Sequence, residues 1–303
     1  MDVEKVSIIK SILNLIRKSE KLRIIFLLLP SSFFLIVFFA VAIAILVLYS
    51  FWTVGPTFDP IPQWNFQNYL DIFMRRGGAH ALLFLKTIGI VGLVTVVSIS
   101  IAYPASYWIS MRGGEYKYMW ITLLMTPFLI SWVILVMGWM MILRDNGLIN
   151  QLLMSIGLTT KPIRFLYNVQ AVILVLVMGW TSWVSLPIFV SLEKMDKTLL
   201  EAGADLGATP LQNFMKITLP LSMPGILVAT LLTFIPLLGE FVAATLVGGT
   251  SGTMYGILID AYFKRMFNWP YGGALSILLM VTSFGIGMIL VKRVGLRTLM
   301  ESL

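Results

Sequence analysis

Six long apolar stretches constrain this chain more than any other feature of its sequence. They run near Ile24–Ser50, Thr87–Ile109, Tyr118–Leu143, Val169–Leu192, Leu221–Val247 and Tyr271–Val291. A helix needs roughly 20 apolar residues to cross a bilayer, and each stretch is long enough. Each run is continuous rather than alternating, which favours helices over transmembrane strands. We therefore predict an all-α, polytopic membrane protein with six transmembrane helices.

The composition agrees with lipid as the main solvent of this chain. Of the 303 residues, 58% are hydrophobic and 12% are charged, whereas soluble domains have about 25% charged residues. The net charge is +8, but the basic residues lie between the apolar stretches rather than in one cluster. That pattern favours a membrane protein and gives no support to nucleic-acid binding. With no cysteine and only His80, we expect no disulfide, no metal site and no catalytic residue.

The distribution of Lys and Arg predicts how the six spans are oriented. Fourteen of these 22 residues fall on the side of the termini and eight on the other, so we predict that both termini are cytoplasmic. Residues 1–23 are predicted to carry an interfacial helix over Val6–Lys21, and residues 24–303 the six-span domain. The first apolar run is too long for a cleavable signal peptide, and no small-residue cleavage site ends it.

The long loop at residues 193–220, on the predicted cytoplasmic side, contains the most informative motif. Thr198–Leu206 favours a helix, Gly207 breaks it, and Pro210 suits the first turn of a second helix. Apolar residues then lead back to the bilayer: Phe214, Ile217 and Leu219. A helix, turn and helix outside the membrane has two interpretations. It fits a groove on a partner protein, or it is a connecting loop that packs on its own bundle.

This loop resembles the signature loop of ABC importer permeases, in which Glu-Ala-Ala-x-x-x-Gly precedes Ile-x-Leu-Pro. The matching residues are Glu201, Ala202, Gly203, Gly207, Phe214, Ile217, Leu219, Pro220, Pro224 and Ile226. One position departs, because Gly203 replaces an alanine. The resemblance implies a coupling helix that docks into a cleft of an ATPase. The coupling residues would be Glu201, Ala202, Gly203, Asp205, Gly207, Phe214, Leu219 and Pro220.

The same resemblance implies a type I ABC importer permease in a bacterial inner membrane. Its partners would be a second homologous permease subunit, two ATP-binding subunits, a periplasmic solute-binding protein and the lipid bilayer. No Gly-x-x-x-x-Gly-Lys-Ser/Thr motif occurs in the sequence. We therefore expect the partner subunits to bind ATP, with no cofactor and no enzymatic activity in this chain.

Shorter segments resemble spermidine/putrescine permeases in particular. They are Asn146–Leu153, Leu237–Phe241, Gly248–Gly249 and Asn268–Pro270. The resemblance implies that a polyamine is the transported solute. Permeases for opines, iron, sulfate or maltose share parts of these segments. Another small organic cation, a zwitterion or an opine is therefore the alternative solute.

Glu240 is the only charged residue within the six apolar stretches. A carboxylate in a membrane is costly and usually faces a cavity, where it would attract a cationic solute. A protonated carboxyl, or one paired with a basic residue of a partner subunit, remains the alternative. Four tryptophans have rings that suit an ammonium group: Trp132, Trp139, Trp180 and Trp183. Trp180 and Trp183 lie three residues apart on one helical face, and interfacial or lipid-facing packing is the other interpretation for most of the four. With Pro236 as a hinge, Glu240, Trp180 and Trp183 form the predicted solute pathway.

Two other classes of membrane protein fit the sequence less well. An ion-coupled secondary transporter needs inverted repeats and several intramembrane ionisable groups, but the apolar stretches contain Glu240 alone and no evident repeat. A membrane-embedded enzyme would need a His, Cys or multi-carboxylate constellation, which the sequence does not offer.

Overall fold

A computed structural model describes the chain from Glu20 to Val294. Six segments in it have the length and apolar composition to span a membrane: Leu27–Ser50, Ala79–Arg112, Trp132–Ser155, Val169–Glu193, Pro210–Leu238 and Trp269–Lys292. The predicted helical fold with six spans is therefore confirmed. The interfacial helix predicted over Val6–Lys21 lies almost entirely outside the described residues.

Thirteen helices are labelled here in chain order within Glu20–Val294. They are α1 (Glu20–Ser50), α2 (Gln67–Met74), α3 (Ala79–Arg112), α4 (Lys117–Leu129), α5 (Trp132–Leu143), α6 (Leu148–Ser155), α7 (Val169–Glu193), α8 (Thr198–Asp205), α9 (Pro210–Asn213), α10 (Leu219–Leu238), α11 (Val242–Val247), α12 (Tyr255–Lys264) and α13 (Trp269–Val294). Single turns of 3-10 helix at Arg75–Gly78 and Gly114–Tyr116, and of π-helix at Phe214–Thr218, connect some of them. Strands β1 (Thr53–Val54) and β2 (Pro60–Ile61) form an antiparallel hairpin, with Thr53 opposite Ile61.

Helices α3, α7 and α10 form the centre of the bundle. Helices α3 and α7 run in the same direction, and Ser106 of α3 donates a hydrogen bond to the Ser185 carbonyl of α7 at 3.0 Å. Helix α10 runs the opposite way and crosses α7 at Gly225, where a Cβ would lie 2.7 Å from the Pro187 carbonyl oxygen. Small residues at such crossings allow the close helix packing that stabilises membrane bundles.

The third crossing of the bundle, from Lys117 at one end to Leu143 at the other, combines α4 and α5. It therefore differs from the segment Trp132–Ser155, which is selected by length and composition alone, and from the continuous helix predicted over Tyr118–Leu143. The backbone is extended at Ile130 and Ser131, with ψ angles of 145° and 130°. Trp132, which begins α5, packs its ring where Gly179 of α7 has no side chain, and a Cβ there would overlap the ring. The break is thus associated with a tertiary contact that the local sequence does not reveal.

Helix α1 lies at the edge of the bundle. It packs mainly on α13, where a Cβ on Gly273 would be 3.1 Å from the Leu46 carbonyl oxygen. Its outward side chains are apolar and exposed, as shown by Leu35 and Phe38. Such a surface is suited to lipid rather than to water.

The bundle has two ends, which differ in what they carry. The loop end bears residues 193–220, the C-terminal ends of α3, α7 and α13 and the N-terminal ends of α4 and α10. The far end bears the β-hairpin and helices α2, α6, α11 and α12. A buried aromatic cluster closes the far end, where His80 Nδ1 and the Tyr271 hydroxyl are 2.7 Å apart. In the same cluster the Tyr255 backbone N–H donates to Thr87 Oγ1 at 2.9 Å.

Candidate coupling segment and solute pathway

The coupling segment, residues 193–220, forms the helix, turn and helix that the sequence predicts. Helix α8 ends at Asp205, and Gly207 turns the chain with a φ of 82°, a left-handed conformation that glycine adopts without steric cost. Thr209 then caps α9 with Pro210 at its first position. In this capping box the Thr209 side chain accepts from the Gln212 N–H at 3.3 Å, and the Gln212 side chain accepts from the Thr209 N–H at 2.9 Å.

A side-chain bond joins the two helices of the coupling segment. Asn213 donates from Nδ2 to the carbonyl oxygen of Leu200 at 2.9 Å. Gly203 of α8 faces the same side chain, and a Cβ there would lie 3.1 Å from Asn213 Cγ and 3.0 Å from Ile217 Cδ1. The departure from the signature at Gly203 therefore leaves the space that Asn213 occupies.

The side of α8 that faces away from the bundle is exposed. Helix α8 has no buried residue, and Glu201, Ala202, Asp205 and Gly207 are all exposed. Apolar side chains share this exposure, with Leu206 at 89%. Others are Leu199, Leu211 and Met215. Exposed apolar side chains beyond the end of a span mark an interaction surface, which favours the partner interpretation over a loop that packs on its own bundle.

Aromatic packing anchors the other half of the coupling segment to the bundle. The Phe214 ring meets Tyr103 and Tyr107 of α3 edge-to-face, with centroids 5.8 Å away in each case. The Tyr103 hydroxyl is 2.7 Å from Ser222 Oγ of α10. Leu219 packs against the same cluster. The predicted coupling residues thus divide into two sets, because Phe214 and Leu219 face the bundle while most of the others, including Pro220, are exposed.

Charged residues tie the start of the coupling segment to neighbouring helices. Glu193, the last residue of α7, forms an ion pair with Lys117 of α4 and accepts a bond from Ser110 of α3 at 3.4 Å. Lys197 donates to the Ser110 carbonyl at 3.3 Å. The bond to Glu193 raises the pKa of Lys117 above its usual 10.5. The sequence prediction missed this junction, whose residues lie at the ends of three different helices.

Glu240 lies in a break between α10 and α11, so the continuous helix predicted over Leu221–Val247 is wrong at this point. Its Oε1 accepts the backbone N–H of Ala243 at 2.8 Å. A carboxylate at the first turn of a helix is favoured by the helix dipole, which makes Glu240 a cap of α11. Gly256 of α12 crosses the break closely, since a Cβ there would be 2.8 Å from the Glu240 carbonyl oxygen.

The Glu240 side chain is buried, with 9% of its surface exposed. The Trp132 indole N–H lies near the same carboxyl group but does not form a hydrogen bond with it. Among the Lys and Arg residues whose side chains the structure describes, none forms an ion pair with Glu240. A protonated carboxyl, a charge on a partner subunit and a cationic solute thus remain the three ways of balancing this group.

The other predicted pathway residues differ in their relation to Glu240. Trp180 meets the Trp132 ring edge-to-face at 6.3 Å, so Trp132 connects Trp180 to Glu240. Trp183 lies further along α7, where one face of its ring is stacked on Phe128 at 4.2 Å. Pro236 is exposed near the end of α10, and its carbonyl accepts the Gly239 N–H at 3.2 Å. Trp132 is among the tryptophans that the sequence offers as aromatic rings for a cation, and the structure shows that it is the one beside both Trp180 and Glu240.

A cleft of about 410 Å³ opens at the far end, next to Glu240 in sequence. Its lining includes Phe241, Thr245, Asp260 and Arg265. Lys264 pairs with Asp260 at 2.5 Å and lies 5.6 Å from the centroid of the Phe241 ring. The cleft thus contains both acidic and basic side chains near the break that holds Glu240.

Comparisons with known proteins agree with this arrangement. Residues 116–295 match the family described as "binding-protein-dependent transport system inner membrane component". The chain is 34% identical over 223 residues to the spermidine/putrescine transport system permease protein PotB of Haemophilus influenzae, covering 74% of this chain and 77% of that protein. It is 28% identical over 291 residues to the inner membrane ABC transporter permease protein YdcU of Escherichia coli, covering 89% and 90%.

Solved structures of transporters share the fold. A chain of a bacterial alginate ABC transporter, in complex with an alginate pentasaccharide-bound periplasmic protein, aligns with a TM-score of 0.74 at 18% identity. That alignment covers 91% of this chain and 94% of the other. A chain of the MetNI methionine ABC transporter aligns with a TM-score of 0.54 at 20% identity, covering 70% and 92%. The family match over residues 116–295 and the 34% identity to PotB of Haemophilus influenzae identify the chain as a member of the family of inner membrane components of binding-protein-dependent transport systems.

Proposed function

We propose that this chain is the transmembrane permease subunit of an ATP-driven importer and forms half of the pathway for a polyamine such as spermidine or putrescine. The observation that carries the proposal is the coupling segment. Its α8 side exposes Leu206 and its neighbours beyond the end of the bundle, while Phe214 is packed between Tyr103 and Tyr107. An element with one exposed apolar side and one anchored side is suited to receive a partner and pass on its motion.

The proposed assembly places the loop end in the cytoplasm and the far end in the periplasm. Two ATP-binding subunits meet the coupling segments of this chain and of a second, homologous permease, and they bind the ATP. A solute-binding protein docks on the far end. The Lys and Arg distribution supports this orientation.

In the proposed mechanism, closure of the ATP-binding subunits moves α8 and α9 together through the Asn213 bond to Leu200. Phe214 passes that motion to α3, and Glu193 passes it to α4 through Lys117. The solute pathway then alternates between its two openings. Nucleotide and solute shift this equilibrium only through their different affinities for the two states.

The choice of a polyamine rests on two independent lines of support. Several relatives are named as spermidine/putrescine permeases, including PotB of Haemophilus influenzae. The buried Glu240 carboxylate, with Trp132 beside it, offers negative charge and an aromatic ring in one place. Both groups suit an alkylammonium ion. Another small organic cation or a zwitterion is the alternative within the same type of importer.

The test is uptake by the complete importer in proteoliposomes, with its binding protein outside and ATP inside. We expect uptake of labelled spermidine or putrescine that requires ATP and the binding protein, and that is unchanged when ion gradients are collapsed. Uptake driven by an imposed ion gradient without ATP would show a secondary transporter instead. A binding protein that does not bind spermidine or putrescine would overturn the polyamine assignment and leave the importer intact.

A further inference from the structure

The segment between α1 and α3 presents a row of exposed apolar side chains at the far end. Phe66, Leu70, Phe73 and Met74 are spaced as residues i, i+4, i+7 and i+8, and so share one face at the start of and along α2. They are 68%, 48%, 58% and 72% exposed. Trp64, at 69% exposure, precedes them. Large aromatic and aliphatic groups in a single exposed row mark an interaction surface.

The opposite face of α2 is fastened to the end of the first span. Asn68 Nδ2 donates to the carbonyl oxygens of Ser50 at 3.0 Å and of Trp52 at 2.8 Å. The Tyr69 hydroxyl donates to Ser50 Oγ at 2.8 Å, and Ile72 is fully buried. Because Ser50 is the last residue of α1, these bonds hold α2 at the level where that span leaves the hydrocarbon region.

Two further observations indicate that lipid surrounds this position. Helix α1, to which α2 is bonded, is itself covered with exposed apolar side chains such as Phe38. Aromatic rings gather at the same level, with Tyr49 and Trp52 at 4.9 Å and Phe51 and Trp64 at 5.6 Å between centroids. Trp and Tyr concentrate where a bilayer meets water, so the ring cluster is typical of the interfacial zone.

We propose that Trp64, Phe66, Leu70, Phe73 and Met74 form an interfacial anchor, called here the α2 anchor, that inserts into the outer leaflet at headgroup depth. A short amphipathic helix in the plane of the interface buries its apolar face in this way. The anchor also secures α1, which packs mainly on α13 within the described bundle. Placement of the anchor in the outer leaflet rests on the proposed orientation, while its insertion at an interface rests on the membrane-spanning fold alone.

The absence of cysteine from the sequence allows a direct test. The single-cysteine variants Leu70→Cys and Phe73→Cys carry a polarity-sensitive fluorophore in the complete importer, reconstituted in nanodiscs. Thr57→Cys is the matched control, because Thr57 is an exposed polar residue of the hairpin turn that bonds to Asp59 at 2.6 Å. Nitroxides attached to lipids near the headgroup and a water-soluble quencher are applied in turn.

We expect lipid nitroxides to quench the label at positions 70 and 73 and the aqueous quencher to act mainly at position 57. Quenching of positions 70 and 73 by the aqueous reagent alone would overturn the proposal. Protection from both reagents would also overturn it, and would indicate a protein contact. If that protection appeared only after addition of the binding protein, the surface would be a docking site for it. None of these readouts depends on transport, so they do not depend on the identity of the solute.

Discussion

Asn213 donates a hydrogen bond to the carbonyl oxygen of Leu200 at 2.9 Å, and thereby joins the two helices of the coupling segment across the turn at Gly207. Backbone hydrogen bonds hold the turn itself, from the Gly207 N–H to the Ala204 carbonyl at 2.8 Å and from the Ala208 N–H to the Gly203 carbonyl at 3.0 Å. Asn213 adds a side-chain bond to these turn bonds, and the close approach of Gly203 to the same side chain strengthens the contact between α8 and the start of α9.

Removal of the Asn213 side chain is expected to loosen α8 from α9. In an Asn213→Ala variant, a bond worth about 1 kcal/mol is lost, so α8 follows α9 less closely. We expect the complex to assemble but to transport fewer solute molecules per ATP hydrolysed. The measurement is the ratio of uptake to ATP hydrolysis in proteoliposomes, with Lys216→Ala at an exposed position of the same segment as the control. An unchanged ratio in Asn213→Ala would contradict the mechanical role of this bond.

Gly203→Ala restores the alanine of the signature but is expected to impair this chain. A new Cβ would lie 3.0 Å from Ile217 Cδ1 and 3.1 Å from Asn213 Cγ. Overpacking of this kind costs about 1–3 kcal/mol, which exceeds the gain of roughly 1 kcal/mol from alanine in a helix.

The double variant Gly203→Ala with Asn213→Ala tests the same contact. We expect its loss to be smaller than the sum of the two single losses, because the overlap with Asn213 is gone and only the contact with Ile217 remains. The thermal stability and the coupling ratio of all four proteins form a double-mutant cycle. Additive losses would show that Gly203 and Asn213 act independently.

The Glu193 junction is expected to contribute equally across the neutral pH range. The bond from Lys117 to Glu193 raises the Lys117 pKa above 10.5, so this contribution is present below that value and is lost as the pH rises through the raised pKa. A second charged group lies near the junction, because the Thr198 backbone N–H donates to Asp196 and lowers its pKa below 3.8. The stability that this bond contributes is present above pH 3.8 and is lost as the pH falls through the lowered pKa.

The variant Glu193→Gln should therefore couple less well than wild type, by the same factor from about pH 6 to 8. The measurement is the coupling ratio of both proteins at several pH values within this range. A difference that appeared or vanished between two of those values would contradict this view of the junction.

Glu240→Gln is expected to preserve the fold and reduce transport. The glutamine Oε1 still accepts the Ala243 N–H, so the cap of α11 remains, while the negative charge is lost. Hydrogen bonds to a charged group contribute about 1.5–3 kcal/mol, and we therefore expect kcat/KM for polyamine uptake to fall by about tenfold or more. Asp260→Asn in the nearby cleft serves as a control for the loss of an acidic group. Unchanged uptake and unchanged solute-stimulated ATP hydrolysis in Glu240→Gln would refute a role in the pathway.

The coupling segment was predictable because its determinants are local. Glycine at position 207 and proline at position 210 fix the turn and the start of α9 through their own backbone preferences, and the structure has both features. The six spans were predictable for a similar reason, since the length and apolar composition of each segment are properties of that segment alone.

The exact positions of the two breaks within the predicted spans were not predictable from local composition, although Pro236, the predicted hinge, lies four residues before the break at Glu240. At Ile130 and Ser131, the break accompanies the fit of Trp132 against Gly179, which lies 47 residues further along the chain. The break at Glu240 accompanies the crossing of Gly256 from α12. The sequence offered Trp132 as a candidate ring, but its position between Glu240 and Trp180 depends on contacts between distant segments and could not be predicted.

Photocrosslinking from position 206 is the most direct test of the central claim that residues 193–220 dock on an ATP-binding subunit. Leu206 is 89% exposed at the end of α8, so a photoreactive phenylalanine analogue there disturbs no internal contact. The matched control carries the analogue at Leu158, a far-end residue with 68% exposure. The account predicts a crosslink to the ATP-binding subunit from position 206 and none from position 158. A complex that is assembled and active, yet yields no such crosslink from position 206, would contradict it.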